Sequence, residues 1–218
     1  MKKVVSFDLD GTLVSAKFGD MVWNHGIPEA YAKKHSMSFD YARMFITKEY
    51  TSVGDSSILW YQIEYWLKRF DLQVTANELL KKYETFIEPT PGAKEVIKRL
   101  KDSYILIIAS NAARIFVEKE LAYTGLGRWF SHNISATTDY NMVKKDSAFY
   151  EKVCSILNAL PEEVIHVGDH EIFDFKVPSE IGIEAYHFRD YKYGAEGQAP
   201  RNNNGRVIYN LTELLDKL

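Results

Sequence analysis

Near the start of the chain an apolar run ends in two acids one residue apart: Val4-Val5-Ser6-Phe7-Asp8-Leu9-Asp10-Gly11-Thr12. Carboxylates held that close repel one another unless something positive lies between them. A divalent cation is the natural counter-charge, and Mg2+, a hard ion, takes such oxygen ligands. Taken alone, the segment is also compatible with a solvated acidic turn. Two further apolar runs end in polar groups. One closes with Val167-Gly168-Asp169-His170-Glu171-Ile172-Phe173-Asp174 and the other with Ile108-Ala109-Ser110-Asn111, while the pair Lys144-Lys145 precedes the helical pattern leading into the former. If these runs are neighbouring parallel strands, Asp8, Asp10 and Asp169 converge at the sheet edge where open parallel sheets bind ligands. That edge then offers carboxylates for a metal, and a hydroxyl, an amide and a lysine for an anion. Phosphoryl transfer, which is mostly positioning and charge neutralisation, suits the combination.

The elements that must carry these residues follow from the periodicity. Strand-sized apolar runs occur at Val4 to Phe7, Tyr104 to Ala109, Val164 to Val167, Glu184 to Phe188 and Arg206 to Tyr209, with a shorter candidate at Asn133 to Ala136. They lack polar alternation, as strands covered on both faces do. Helical stripes fall between them: Ala93, Val96, Ile97 and Leu100, then Phe149, Val153, Ile156 and Leu157 with Asp146 as N-cap. The alternation predicts an α/β fold with a parallel sheet. Between Val14 and about Pro89 only helical patterns occur, which predicts an insertion of four or five helices after the first strand. Within it Leu59, Ile63, Trp66, Leu67 and Phe70 predict one helical face, and Thr75 with Glu78 a capping box. Pro89-Thr90-Pro91-Gly92 marks the return to the α/β pattern. Asn210 with Glu213 predicts a start for the last helix, and Tyr193 to Gly205 a surface loop.

Composition excludes several function classes. The 27 Lys+Arg against 30 Asp+Glu leave a net charge of −3, too little field to gather nucleic acid or an anionic membrane. With one cysteine, Cys154, neither an intrachain disulfide nor a thiolate zinc cluster can form. The acids of the first ten residues interrupt any signal-peptide core, and no run reaches the length of a membrane span. A cytoplasmic protein is expected.

On Asp8-Leu9-Asp10-Gly11-Thr12, Ser110, Lys144 and Gly168-Asp169-x4-Asp174, the chain resembles the haloacid dehalogenase-like hydrolase superfamily, whose four motifs these residues match in order and spacing. The resemblance covers residues 1–14 and about 90–218 and implies a Rossmann-like catalytic core there. The insertion, residues 15–89, resembles the helical cap of the subgroup that includes phosphoglycolate phosphatases and β-phosphoglucomutases. The stretch between Ser110 and Lys144 is too short for the large α/β cap of other subgroups.

The resemblance implies a Mg2+-dependent phosphatase acting on a small phosphorylated metabolite. Asp8 would be the nucleophile, forming an aspartyl-phosphate, and Asp10 the acid and then the base. Mg2+ would be held by an Asp8 carboxylate oxygen, the Asp10 carbonyl and Asp169. Ser110, the Asn111 amide and Lys144 would serve the phosphate. Lys145 is an alternative to Lys144, since this motif often reads Lys-Pro and here reads Lys144-Lys145-Asp146. Asp174 would orient Lys144 or touch the metal. His170 reads as a loop residue rather than a zinc ligand, for want of partners at ligand spacing. Lys17, Trp23, Arg43 and Lys48 are candidates for contact with the substrate, and Arg114 for a solvated helix position. A phosphosugar mutase shares the same core residues. A phosphonoacetaldehyde hydrolase would need Lys17 or Lys48 as a Schiff base. A haloacid dehalogenase would lack an acid at the Asp10 position. A receiver-like signalling module would carry its acceptor after a later strand and no large helical insertion, and a non-catalytic phospho-ligand binding protein gives little reason to keep both Asp8 and Asp10.

Overall fold

A computed structural model of the protein describes residues 2–144, 146–189 and 205–218. Lys145 and all but Gly205 of the loop expected from Tyr193 lie outside the described residues. Six parallel strands, β1 Val4–Phe7, β2 Ile105–Ser110, β3 His132–Ser135, β4 Val164–Gly168, β5 Glu184–Phe188 and β6 Val207–Ile208, form one sheet in the order β3-β2-β1-β4-β5-β6. The expected α/β fold with a parallel sheet is therefore present, although the last strand is only two residues long.

Side chains alternate across the sheet and build a core on each face. Val5, Phe7, Leu106, Ile108, Ile165 and Val167 enter one core, whereas Val4, Ile107, Ala109 and Val164 enter the other with Phe149, Val153 and Cys154. The helix Ala93–Leu100 buries the predicted stripe, and Ser147–Leu157 is capped by Asp146, whose side chain accepts from the Ala148 N–H at 3.2 Å. Asn210 and Glu213 form a reciprocal cap, but the turn they open, Leu211–Asp216, is a 3-10 helix.

Between β1 and the helix Ala93–Leu100 the chain is helical. The longest piece is Phe39–Val53, capped by Ser38, and Ala76–Tyr83 starts at the Thr75/Glu78 capping box. The segment leaves and re-enters the α/β part on adjacent backbones: Val14 bridges Pro89, and the Thr90 N–H donates to the Leu13 carbonyl at 2.9 Å. Aromatic rings fill its interior. Trp66 is fully buried and meets Tyr50 edge-on at 4.6 Å and Phe70 stacked at 5.6 Å. Leu59 departs from the predicted stripe. It sits on a separate 3-10 turn, Ile58–Tyr61, and is 38% exposed. Extended backbone at Gln62 (φ −90°, ψ 96°) breaks the helical phase before Ile63–Arg69 begins. Two stretches, Met21–Gly26 and Glu171–Lys176, are wound as π-helix, a form often found at functional sites.

Candidate active site

The strand order sets the site. β1 lies between β2 and β4 with Phe7 level with Ile108 and with Val167, so the residues that follow all three strands emerge side by side. The chain runs from β1 through β2 to β3 on one side and resumes with β4 on the other side of β1, and at such a reversal open α/β sheets leave a crevice. Asp8 follows β1, Ser110 ends β2 and Asp169 follows β4. A cavity of about 570 Å3 opens above them, lined by Asp8, Asp10, Ser110, Asn111, Lys144, Asp169 and Asp174 on the sheet side. The sequence-predicted residues are thus brought together in one place.

Lys144 is buried, and its ammonium donates to three acceptors: Asp8 Oδ1 at 2.5 Å, Asp174 Oδ1 at 2.6 Å and the Ala109 carbonyl at 3.0 Å. Burial works against its charge, but Asp174 and Asp8 outweigh that and raise its pKa, so it stays charged. The Lys144 backbone is itself held, its N–H donating to Asn111 Oδ1 at 2.9 Å. Asp174 accepts from Lys144 and, through Oδ2, from the His170 N–H at 3.0 Å. Burial pushes Asp174 up, yet Lys144 and His166 together hold it well below the usual carboxylate range.

The carboxylates outnumber this one lysine. Oxygens of Asp8, Asp169 and Asp174 all lie within 4.8 Å of one another. Burial, with Asp174 and Asp169 adding to it, pushes Asp8 well above its ordinary value despite Lys144. Asp169 is an exposed residue on the wall of the cavity, and desolvation by the surrounding protein, with the nearby Asp174, pushes its carboxyl up to about 7. Three acids beside one ammonium cannot all ionise without a further positive charge, and an all-oxygen donor set fits a hard divalent cation. Asp174 is already saturated by Lys144 and the His170 amide, so Asp8 and Asp169 have the freer oxygens. Gly11 makes the approach possible: it has φ +78°, and a Cβ there would lie 2.4 Å from Asp169 Oδ2.

Three groups at the site were not singled out from the sequence. Glu120, on the helix Arg114–Thr124, is 0% exposed. No donor among the described residues reaches its oxygens, and their polar neighbour is the Asp10 carboxyl. Two carboxyls can bond only by sharing a proton; burial, then Asp10, raises Glu120 well above its ordinary value, and burial raises Asp10. His166 sits behind Asp174, its Nε2 3.1 Å from Asp174 Oδ1 and its Nδ1 2.9 Å from Ser6 Oγ. Burial lowers its pKa, so it is neutral, and the network assigns its proton to Nε2. Tyr61, from the helical segment, accepts from Asn111 Nδ2 at 3.3 Å and donates to the Asp55 carbonyl at 2.9 Å, tying that segment to the end of β2.

Of the other candidates, Trp23 lines the cavity, whereas Lys17, Arg43 and Lys48 do not. Lys17 pairs with Glu88 and lies over the Phe86 ring, and Arg43 pairs with Asp40. Arg114 is not freely solvated: it pairs with Asp139 and donates to the Asn133 carbonyl at 2.7 Å. His170 caps Glu171–Lys176 by accepting from the Phe173 N–H and stacks on Phe173 at 4.0 Å.

The sequence profile of haloacid dehalogenase-like hydrolases matches residues 2–177. The chain belongs to this family. A glyceraldehyde 3-phosphate phosphatase of Pyrococcus furiosus is 27% identical, over 99% of this chain and 92% of that protein. A GMP/IMP nucleotidase of Escherichia coli is 23% identical, over 77% of this chain and 74% of that protein. Among solved structures, a HAD phosphatase from Thermococcus onnurineus superposes with a TM-score of 0.83 at 26% identity, covering 100% of this chain and 97% of that one. This haloacid dehalogenase-like hydrolase is thus an enzyme whose helical insertion, like its sheet, is the family's.

Proposed function

We propose that the protein is a Mg2+-dependent phosphatase that hydrolyses a small phosphorylated metabolite through an aspartyl-phosphate on Asp8, with residues 15–89 as cap over a core of 1–14 and 90–218. The observation that carries this reading is the grouping of Asp8, Asp169 and Asp174, two of them bonded to Lys144, at the floor of a cavity that Ser110 and Asn111 also line. The relatives named as a phosphatase and a nucleotidase support it.

Lys144 fixes Asp8 Oδ1, and Oδ2 receives no hydrogen bond from the described residues, which suits it to attack phosphorus. As the Asp8–phosphorus bond forms, the ester P–O bond breaks and the leaving oxygen takes a proton from Asp10. Burial raises the Asp10 pKa, as a general acid requires. In the second step Asp10 takes a proton from water, whose oxygen displaces Asp8 from phosphorus. A bound Mg2+, held by Asp8, Asp169 and the Asp10 carbonyl, would supply charge neutralisation for the phosphoryl oxygens. The Ser110 hydroxyl and the Asn111 N–H serve the non-bridging oxygens. Lys144, whose donors are all engaged with protein, acts on the phosphate through the charge it lends Asp8.

Asp10 argues against the dehalogenase alternative, which needs no acid. A mutase keeps the same residues and differs in what receives the phosphoryl group. Phosphate release from a panel of phosphorylated metabolites, with Asp8→Asn and Asp10→Asn run beside the parent, tests the reading. Turnover by the parent that a chelator abolishes and Asp8→Asn lacks is expected. A parent inert on the whole panel, or an Asp8→Asn protein as active as the parent, refutes it.

A further inference from the structure

The leaving group is set by the part of the cavity that the phosphoryl site does not use. Its total of about 570 Å3 falls inside the range of roughly 300–1,000 Å3 typical of small-molecule and cofactor sites. A phosphoryl group with a two- or three-carbon alcohol would leave most of that space to water. The walls above the sheet edge are largely aromatic: Trp23, Trp60 and Tyr50 from the helical segment, and Phe116 from the helix after β2. These rings are braced against one another. Trp23 stacks on Phe116 at 5.7 Å and 10°, and Tyr50 meets Trp23 and Trp60 edge-on at 5.9 and 6.1 Å. Tyr50 and Phe116 are buried behind the partly exposed Trp23 and Trp60, and apolar surface braced in this way binds a flat apolar ligand with little ordering cost.

The charge of the lining points the same way. Among the described residues around the cavity one carries a fixed positive charge, Lys144, and its three donors are taken by Asp8, Asp174 and the Ala109 carbonyl. The cations of the helical segment that could have met an anion, Lys17, Arg43 and Lys48, do not line it. Two acids do, Asp20 and Asp55. A second phosphate or a carboxylate on the substrate would be desolvated without a partner and would face like charge. Neutral polar groups are present instead: Asn24 and Thr51 line the same space and suit hydroxyl or amide groups.

From this lining we infer that the alcohol released from phosphate is uncharged, presents a flat apolar face together with hydroxyl or amide groups, as a nucleoside does, and bears no second anionic group. The inference rests on the phosphatase reading above and narrows its substrate class. Four compounds compared by kcat/KM with the full chain and Mg2+ test it: acetyl phosphate, glycerol phosphate, phosphoglycolate and a nucleoside 5′-monophosphate. The nucleoside monophosphate is expected to lead, with phosphoglycolate at least tenfold below it. Trp60→Leu, which keeps apolar bulk and loses the flat ring, should lower kcat/KM on the nucleotide roughly five- to 150-fold, the value of one base–aromatic stack, while moving acetyl phosphate less than threefold. Asp55→Lys should raise turnover of phosphoglycolate relative to the nucleotide at least tenfold. A binding readout stands apart from catalysis: quenching of tryptophan fluorescence by the free nucleoside, absent with glycolate. Turnover of acetyl phosphate with phosphoglycolate or glycerol phosphate equal to the nucleotide overturns the inference and leaves the phosphatase reading intact. Inertness on all four, without nucleoside quenching, overturns both.

Discussion

Replacing Glu120 by Gln changes one atom of a fully buried side chain and removes a proton that the folded protein holds more tightly than the unfolded chain does. The Glu120–Asp10 pair keeps that proton because burial and mutual repulsion disfavour two charges together. An acid whose folded pKa is raised contributes its stability fully below the unfolded value, here 4.5, and loses it as pH rises towards the folded value. Over that window the folded state binds one proton more than the unfolded state, so stability falls by about 1.4 kcal/mol per pH unit on account of this pair. Gln cannot ionise, and its amide N–H can donate to Asp10 as a carboxylate, so the variant retains no such proton. The Glu120→Gln protein should therefore gain on the parent by up to about 1.4 kcal/mol for each pH unit between the unfolded value and the folded one. Urea unfolding of both proteins at several pH values, without divalent cation, measures the difference directly. If Asp10 is the general acid of the proposed mechanism, the same exchange should move the alkaline fall of kcat/KM to lower pH. Stability curves that run parallel from about pH 5 to pH 8 would refute the reasoning, since Glu120 would then titrate like an exposed carboxyl.

Lys144→Met leaves Asp8 and Asp174 buried without their cation, and thermal or urea unfolding should show a loss of about 3–5 kcal/mol at neutral pH. Because Lys144 and His166 depress the Asp174 pKa, that part of the stability is present above the unfolded value of 3.8 and is lost as pH falls through the folded value; the difference between parent and variant should narrow on acidification. Mg2+ affinity, followed by calorimetry, should weaken below about pH 7, where Asp169 takes up a proton that the ion must displace. Gly11→Ala puts a Cβ against Asp169 and forces Ala to φ +78°, so cation affinity and turnover should fall together while Gly54→Ala, also at positive φ but with nothing within 4 Å, costs stability alone.

Residues at strand ends were legible because position and chemistry coincide there. Asp8, Ser110 and Asp169 each close an apolar run, and parallel neighbours must bring such ends to one edge. The groups that went unread lie inside elements, where a polar residue interrupts an apolar period. Glu120 falls four residues after Phe116, three after Val117 and just before Leu121, all of them buried, so its place on the apolar face was written in the spacing. Its meaning was not, because the partner, Asp10, arrives from a distant turn. Ser6 and His166 are the same case: each breaks a run of buried apolar residues, and the register pairs them directly. Of the substrate-contact candidates Trp23 lines the cavity, whereas the helical segment turns Lys17, Arg43 and Lys48 away from it and adds Trp60 and Tyr50. Helical phase across residues 17–61 depends on two π-turn and 3-10 interruptions, at Met21–Gly26 and Ile58–Tyr61, that no residue pattern announces. Each shifts the facing of everything beyond it, as Leu59 demonstrates. A buried polar residue inside an apolar stripe is therefore the better pointer: it must find a partner, and in this fold Glu120 and His166 find theirs at the sheet edge that carries the candidate site.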